Sequence, residues 1–164
     1  MTVTSLVARV PSGDSVTQRM MDVLPDLLLL RSLTLPQCDL SNQKLPSLQR
    51  LQQMVIVDLN TAEIEATDIE SLAAAPNLRD LRLARATMDA SDPRALRGHA
   101  TLQRVGLSRR AVKNDEIVSI LSCTPNLVET SGLQRIRLSP GYDEAVADQL
   151  RAILPGCDIF QICN

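Results

Sequence analysis

The stretch Leu30-Arg31-Ser32-Leu33-Thr34-Leu35-Pro36-Gln37-Cys38-Asp39-Leu40 decides the architecture, because its spacing returns along the chain. Read as L-x-x-L-x-L-x-x-C-x-L, it describes a short strand followed by a tight inward turn, with apolar residues alternating as one face of a strand requires. A step of 24 residues lands on Met54, Val57, Leu59, Ala62 and Ile64. A second step gives Leu78, Leu81, Leu83, Ala86 and Met88, and a third gives Leu102, Val105, Leu107, Arg110 and Val112. Four copies in one register are the signature of a solenoid, in which each coil buries its apolar edge only against its neighbours. After a spacing stretched to 31 residues the pattern returns as Leu133, Ile136 and Leu138. A further step of 24 predicts Cys157, Phe160 and Ile162 as the inward positions of a closing strand.

These positions resemble leucine-rich repeats, over roughly residues 25 to 164. The resemblance implies an α/β fold: a right-handed solenoid with a parallel sheet on its concave face and short helices on its convex face. It is expected to be a single domain, residues 1–164, with 1–29 as an N-terminal cap, 30–156 as repeats and 157–164 as the closing strand. Many such repeats place Asn at the inward turn, where its amide satisfies backbone groups of adjacent coils. Here that slot holds Cys38, Ala62, Ala86, Arg110 and Gly141. The turns are therefore expected to satisfy their carbonyls through backbone bonding or water, since an unpaired buried group costs roughly 1–3 kcal/mol. Arg110 is expected to bulge toward solvent, and Leu127 to Gly132 to form a loop or irregular strand that breaks the stack.

The remaining segments fit around these coils. Val3 to Val10 reads as a strand, Pro11 to Asp14 as a turn, and Ser15 as the N-cap of a helix through Leu24, with Met20, Met21, Val23 and Leu24 inward and Pro25 ending it. Leu45, Leu48 and Leu51 make one apolar stripe on a short helix or 3₁₀ turn. Asp68, Ser91 and Asn114 occupy N-cap positions for the later connecting helices, and Pro76-Asn77-Leu78 and Pro125-Asn126-Leu127 punctuate helix to strand. A helix from about Tyr142 to Leu154 would bury Ala145, Val146, Gln149, Leu150 and Ile153.

Composition narrows the function classes. The chain has 164 residues and a 45% hydrophobic composition with only 1% aromatic, so the core is aliphatic. A start without a basic, apolar leader and the absence of a long apolar run predict a cytoplasmic chain that does not insert into membranes. Cys38, Cys123, Cys157 and Cys163 form no C-x-x-C pair and read as buried thiols; no cofactor motif or metal-ligand spacing appears. The one histidine, His99, has no second histidine to share a metal and is expected at the surface. With no nucleophile motif either, the chain is expected not to be an enzyme.

Charge distribution says more than the net value of −2. Residues 1–70 hold five Lys or Arg against nine Asp or Glu, whereas 71–140 hold eleven against six. Strand residues alternating with the inward leucines should face out across the concave sheet: Ser32, Thr34 and Pro36, then Ile56, Asp58 and Asn60, then Asp80, Arg82 and Ala84, then Arg104, Gly106 and Ser108, then Arg135, Arg137 and Ser139. The strip runs from neutral through acidic to basic, widened by Arg85, Arg109 and Arg110. Asp58, Asn60, Asp80, Arg82, Arg104, Arg135 and Arg137 are the candidate binding residues. They suit an acidic protein or peptide partner, because guanidinium forks bind carboxylates bidentately. A solvated face with Asp80 paired to Arg82 or Arg104 is the structural alternative. Self-association through the convex helices or the terminal edge strand is the second functional class. Nucleic-acid binding is the third, opposed by the acidic pI of about 5.4 and the lack of aromatics for base stacking. Protein binding is what the resemblance implies for the concave face.

Overall fold

The computed structural model describes residues 3–8, 15–38, 40, 44–60, 62–83, 87–88, 96, 99–107, 134–138 and 142–161. Among them the strands β1 (Ser5–Val7), β2 (Ser32–Thr34), β3 (Ile56–Asp58), β5 (Asp80–Arg82), β7 (Arg104–Leu107), β8 (Arg135–Leu138) and β9 (Asp158–Gln161) form one parallel sheet in that order. A second, two-stranded sheet joins β4 (Glu63–Ile64) to β6 (Thr87–Met88). Three α-helices are described: α1 (Ser15–Val23), α2 (Ala66–Ala73) and α3 (Glu144–Ile153). Two 3₁₀ turns, Leu24–Asp26 and Leu48–Arg50, complete the connections.

The 24-residue period sets the strand register directly. Leu33 lies beside Val57, Val57 beside Leu81, and Leu81 beside Val105. All four are buried, as are Leu35, Leu59 and Leu83 two residues on. The core between sheet and connections is almost wholly aliphatic, and at roughly 1.5–3 kcal/mol per buried side chain its burial is the main term that stacks the coils. β8 pairs directly with β7, Ile136 beside Val105, so the main sheet continues past the stretched spacing. Leu127 to Gly132, Arg110, Gly141, Ser91 and Asn114 lie outside the described residues, as do Cys123 and Cys163.

Without an asparagine ladder, the inward turns among the described residues, at Cys38 and Ala62, are satisfied by backbone. Gln37 adopts a left-handed φ of 61°, which swings Cys38 into the core. Glu63 N–H then donates to Cys38 C=O at 3.0 Å, and Leu40 N–H donates to Glu63 C=O at 2.8 Å. One coil further, Glu63 and Ile64 pair with Thr87 and Met88. The second sheet thus does the work expected of the missing amides. At the other vertex Asn77 Nδ2 donates to Gln52 C=O at 2.9 Å, and the Thr101 hydroxyl donates to Leu78 C=O at 2.9 Å.

Several local expectations need correction. β1 is shorter than Val3 to Val10, and Val23 is exposed because the helix gives way to a 3₁₀ turn at Leu24. Asp68 is not an N-cap: Glu65 is, and Asp68 is the third helical residue. Its side chain is buried, accepting hydrogen bonds from Leu45 N–H at 2.7 Å and Glu65 N–H at 2.8 Å. In α3 the buried stripe is Val146, Ala147 and Leu150, leaving Ala145 and Gln149 exposed. The apolar stripe is rotated by one position because Leu154, beyond the helix, also packs inward.

The largest correction concerns β9. Ile159, not Phe160, lies beside Ile136, a spacing one residue short of the repeat. Because side chains alternate along a strand, that slip moves Phe160 from the core to the opposite face and brings Asp158 there with it.

Candidate functional site

Strand alternation builds an open sheet face of two rows on the side away from the core. One row runs Ile56, Asp80, Arg104, Arg135, Asp158 across β3, β5, β7, β8 and β9. The other runs Asp58, Arg82, Gly106, Arg137, Phe160. The face therefore gathers six of the sequence-predicted residues in adjacent register positions, with Asn60 just beyond the end of β3. Arg85, Arg109 and Arg110, expected to widen it, lie outside the described residues.

The acidic and basic members neutralise one another at its centre. Asp80 is nearly enclosed although it belongs to the outward row, its side chain 5% exposed against 44% for Arg82 and 45% for Arg104. Arg82 grips it bidentately, Nε to one carboxylate oxygen at 3.2 Å and Nη2 to the other at 2.8 Å. Its remaining nitrogen, Nη1, reaches Asp58 at 3.5 Å. These bonds to Asp80 first, and the charge of Asp58 after, hold the Arg82 guanidinium above its ordinary range despite partial burial. Arg104 Nε donates to Asp80 at 3.2 Å. Asp58 also accepts from Asn60 N–H at 3.0 Å, fixing the turn after β3.

Toward β9 the pattern loosens. Arg135 Nε donates to Asp158 at 3.1 Å, with both side chains more than half exposed. Arg137 meets no carboxylate among the described residues. Both guanidiniums lie over the Phe160 ring, 5.7 and 5.3 Å from its centroid, in cation–π geometry. Between these groups Gly106 presents no side chain, and a hollow of about 290 Å³ opens there, walled by Asn60, Asp80, Arg82, Arg104, Arg135 and Arg137 with Val105 and Gly106 as its floor.

Sequence reasoning missed Phe160 and Asp158 because a strict period placed Phe160 inward. The available signal was chemical: a one-residue shift sets a carboxylate opposite Arg135 and an aromatic ring opposite Arg137. Alternation places Gly106 on this face, but the hollow beside it depends on which side chains surround it and is not legible in the sequence.

Away from this face, His99 and the two described cysteines are packed into the structure. His99 is half-buried rather than on the surface, its Nε2 2.9 Å from Ala75 C=O, and burial pushes its pKa down. Cys38 is buried and Cys157 half-buried; both are free thiols. Burial first, and then Asp158, push the Cys157 thiol up to about 11, which leaves it protonated and a poor nucleophile near neutrality. Among the described residues no group of three His, Cys, Asp or Glu could hold a metal ion, and no helix is long and apolar enough to cross a membrane.

No protein-family model and no curated protein matches the sequence. The structure is similar to the crystal structure of an internalin, InlF, from Listeria monocytogenes, with a TM-score of 0.54 and 18% sequence identity. That likeness takes in 97% of this chain and 46% of the internalin chain, so the present sequence spans about half the length of its structural neighbour. Together with the parallel sheet and its 24-residue register, the likeness identifies the fold as the leucine-rich-repeat solenoid.

Proposed function

We propose that this chain is a non-enzymatic protein-interaction module that engages a partner through the open sheet face, at the end formed by β7, β8 and β9. The observation that carries the reading is the hollow over Gly106, ringed by guanidiniums that the face itself only partly neutralises. Asp58, Asn60, Asp80 and Arg82 make the ordered shoulder of this surface, and Arg104, Arg135 and Arg137 supply the donors turned toward a partner. The partner is a protein with acidic character. A nucleic-acid strand fits poorly, because Asp58, Asp80 and Asp158 would repel its phosphates and Phe160 is covered by two arginines. The fold's use as a binding scaffold in other proteins supports this reading, and the proposal includes a cytoplasmic setting, with which the free thiols Cys38 and Cys157 are compatible.

The test is affinity capture from native extract, comparing the intact protein with the triple variant Arg104→Gln, Arg135→Gln, Arg137→Gln. Glutamine is preferred to glutamate because a new carboxylate beside Asp80 or Asp158 would perturb the face whether or not a partner binds. A protein held by the intact chain and released by the variant supports the reading. If both forms retain the same species, or only further copies of the chain, the open face is a solvated surface and self-association takes its place.

A further inference from the structure

The charge arrangement around Gly106 specifies one ligand group more narrowly than an acidic partner does. Across the first row the order is Asp80, Arg104, Arg135, Asp158, so two arginines stand side by side on β7 and β8, strands about 4.8 Å apart. Each is drawn by its Nε to a carboxylate on its far side, Arg104 to Asp80 and Arg135 to Asp158. Nothing negative lies between them among the described residues, and like charges directly opposite one another are unfavourable. Arg137 is the neighbour in the second row, beside Gly106, with no carboxylate of its own among those residues. On this part of the face four arginines, Arg82, Arg104, Arg135 and Arg137, thus meet three aspartates, Asp58, Asp80 and Asp158. Among the described residues the surplus is a single positive charge, centred where Gly106 leaves room.

The geometry points to a carboxylate-accepting subsite over Gly106, in which one aspartate or glutamate side chain of the partner protein is held by the terminal nitrogens of Arg104 and Arg135 and by Arg137. This rests on the open-face reading above and names the chemical group that the face selects. A single carboxylate completes the alternation Asp80, Arg104, ligand, Arg135, Asp158. A dianionic phosphate overshoots the surplus and brings its second charge close to Asp80. The hollow, about 290 Å³, is roughly tenfold a water molecule's ~30 Å³ share of liquid, enough for an acidic side chain and its stem. Phe160 holds the Arg135 and Arg137 guanidiniums from the β9 side, so less side-chain freedom is lost when they bind.

Two measurements on the intact protein test this. In the first, N-acetylglutamate methylamide, its glutamine counterpart and inorganic phosphate are titrated separately while the Nε–Hε resonances of the arginines are followed. The glutamate probe should give saturable shifts confined to Arg104, Arg135 and Arg137, leaving Arg31 and Arg50 unmoved, while the glutamine probe gives none. Arg137→Gln should weaken the response by about fivefold or more. Equal, unsaturable movement at Arg50, or phosphate binding more than about tenfold tighter than the carboxylate, overturns the assignment.

The second measurement needs no ligand. Gly106→Glu places a carboxylate in the hollow, and Gly106→Gln is its uncharged equal in size. The glutamate variant should melt a few degrees above the glutamine variant at low salt, and the gap should close near about 1 M salt, where the screening length falls to ~3 Å. Equal melting temperatures overturn the subsite. The two levels of the reading fail separately. A partner captured only by the intact chain, with no response to the glutamate probe, removes the subsite and keeps the face. A selective glutamate response with arginine-independent capture keeps the subsite and removes the face.

Discussion

Asp68 shows how one residue can tie two coils together where the sequence suggested only a helix start. Both of its oxygens accept backbone N–H groups, one from Glu65 in its own coil and one from Leu45 in the preceding coil, and the side chain is buried. Ser71 reinforces the link by donating to Leu45 C=O at 2.8 Å. Burial outweighs these bonds and pushes the Asp68 carboxyl above its usual range. A raised carboxyl favours folding while protonated and loses that contribution as pH rises through its folded value, so Asp68 does not drive acid unfolding. Asp68→Ala strands two N–H groups and should cost about 2–5 kcal/mol, measured by urea unfolding; a loss under about 1 kcal/mol would mean that water replaces the carboxylate. His99 has the opposite sign. Its folded pKa is depressed by burial, and its Nδ1 is buried without a hydrogen-bond partner among the described residues. Stability from the neutral ring is complete above the unfolded value near 6.5 and is lost as pH falls from there through the folded value. The stability gap between wild type and His99→Gln should therefore narrow below about pH 6.5. A gap that is flat from pH 5 to 8, or that widens in acid, removes the effect. Neither residue's role was legible in the sequence, because each depends on a carbonyl or N–H presented by a coil some 23 or 24 residues away.

At the scale of elements, periodicity located strands well and failed where one coil is shorter than the rest. β2, β3, β5 and β7 follow at 24 residues and β8 at the stretched 31, all at the positions that the repeat marks, because the inward Leu33, Val57, Leu81, Val105 and Ile136 admit only one register with a buried face. β9 breaks the count: Asp158 lies 23 residues from Arg135, and Ile159 takes the inward place. The strict period chooses Phe160, and hydrophobicity does not correct it, since Ile159 is apolar too. Cross-strand chemistry chooses, with Asp158 set against Arg135 and Phe160 against Arg137. The same logic gives a test of the register. Ile159→Ala removes a side chain that is 7% exposed and should cost about 2–4 kcal/mol, whereas Phe160→Ala, on the open face, should cost under about 1.5 kcal/mol. Chemical denaturation measures both, and the reverse order would restore the strict 24-residue register. The Phe160 change should also loosen Arg135 and Arg137, visible as averaging of their side-chain resonances.

For the whole molecule, the legible and illegible parts divide according to what sets them. The aliphatic spine was written in spacing, and so was the placement of Asp58, Asp80, Arg82, Arg104, Arg135 and Arg137 on one face, because alternation fixes which side of a strand a residue takes. The hollow, the enclosure of Asp80 and the stacking on Phe160 were not, since they follow from which side chains meet across strands. A solenoid makes a further demand that a globule does not: each coil is stabilised by its two neighbours and by little else. Leu81 sits fully buried in β5, beside Val57 and Val105, so it serves the coils on both sides. Leu81→Ala should lower stability by about 2–5 kcal/mol, depending on how far the site collapses. The spatial pattern of that loss is the sharper test. Hydrogen exchange should accelerate most at the amides of β3, β5 and β7, with β1 and β2 retaining more of their protection. Uniform acceleration from β1 to β9 would mean that the sheet opens as one unit. Neighbour-by-neighbour coupling would then be the wrong description, and a partner gripping β7, β8 and β9 would stabilise the first coil as strongly as the last.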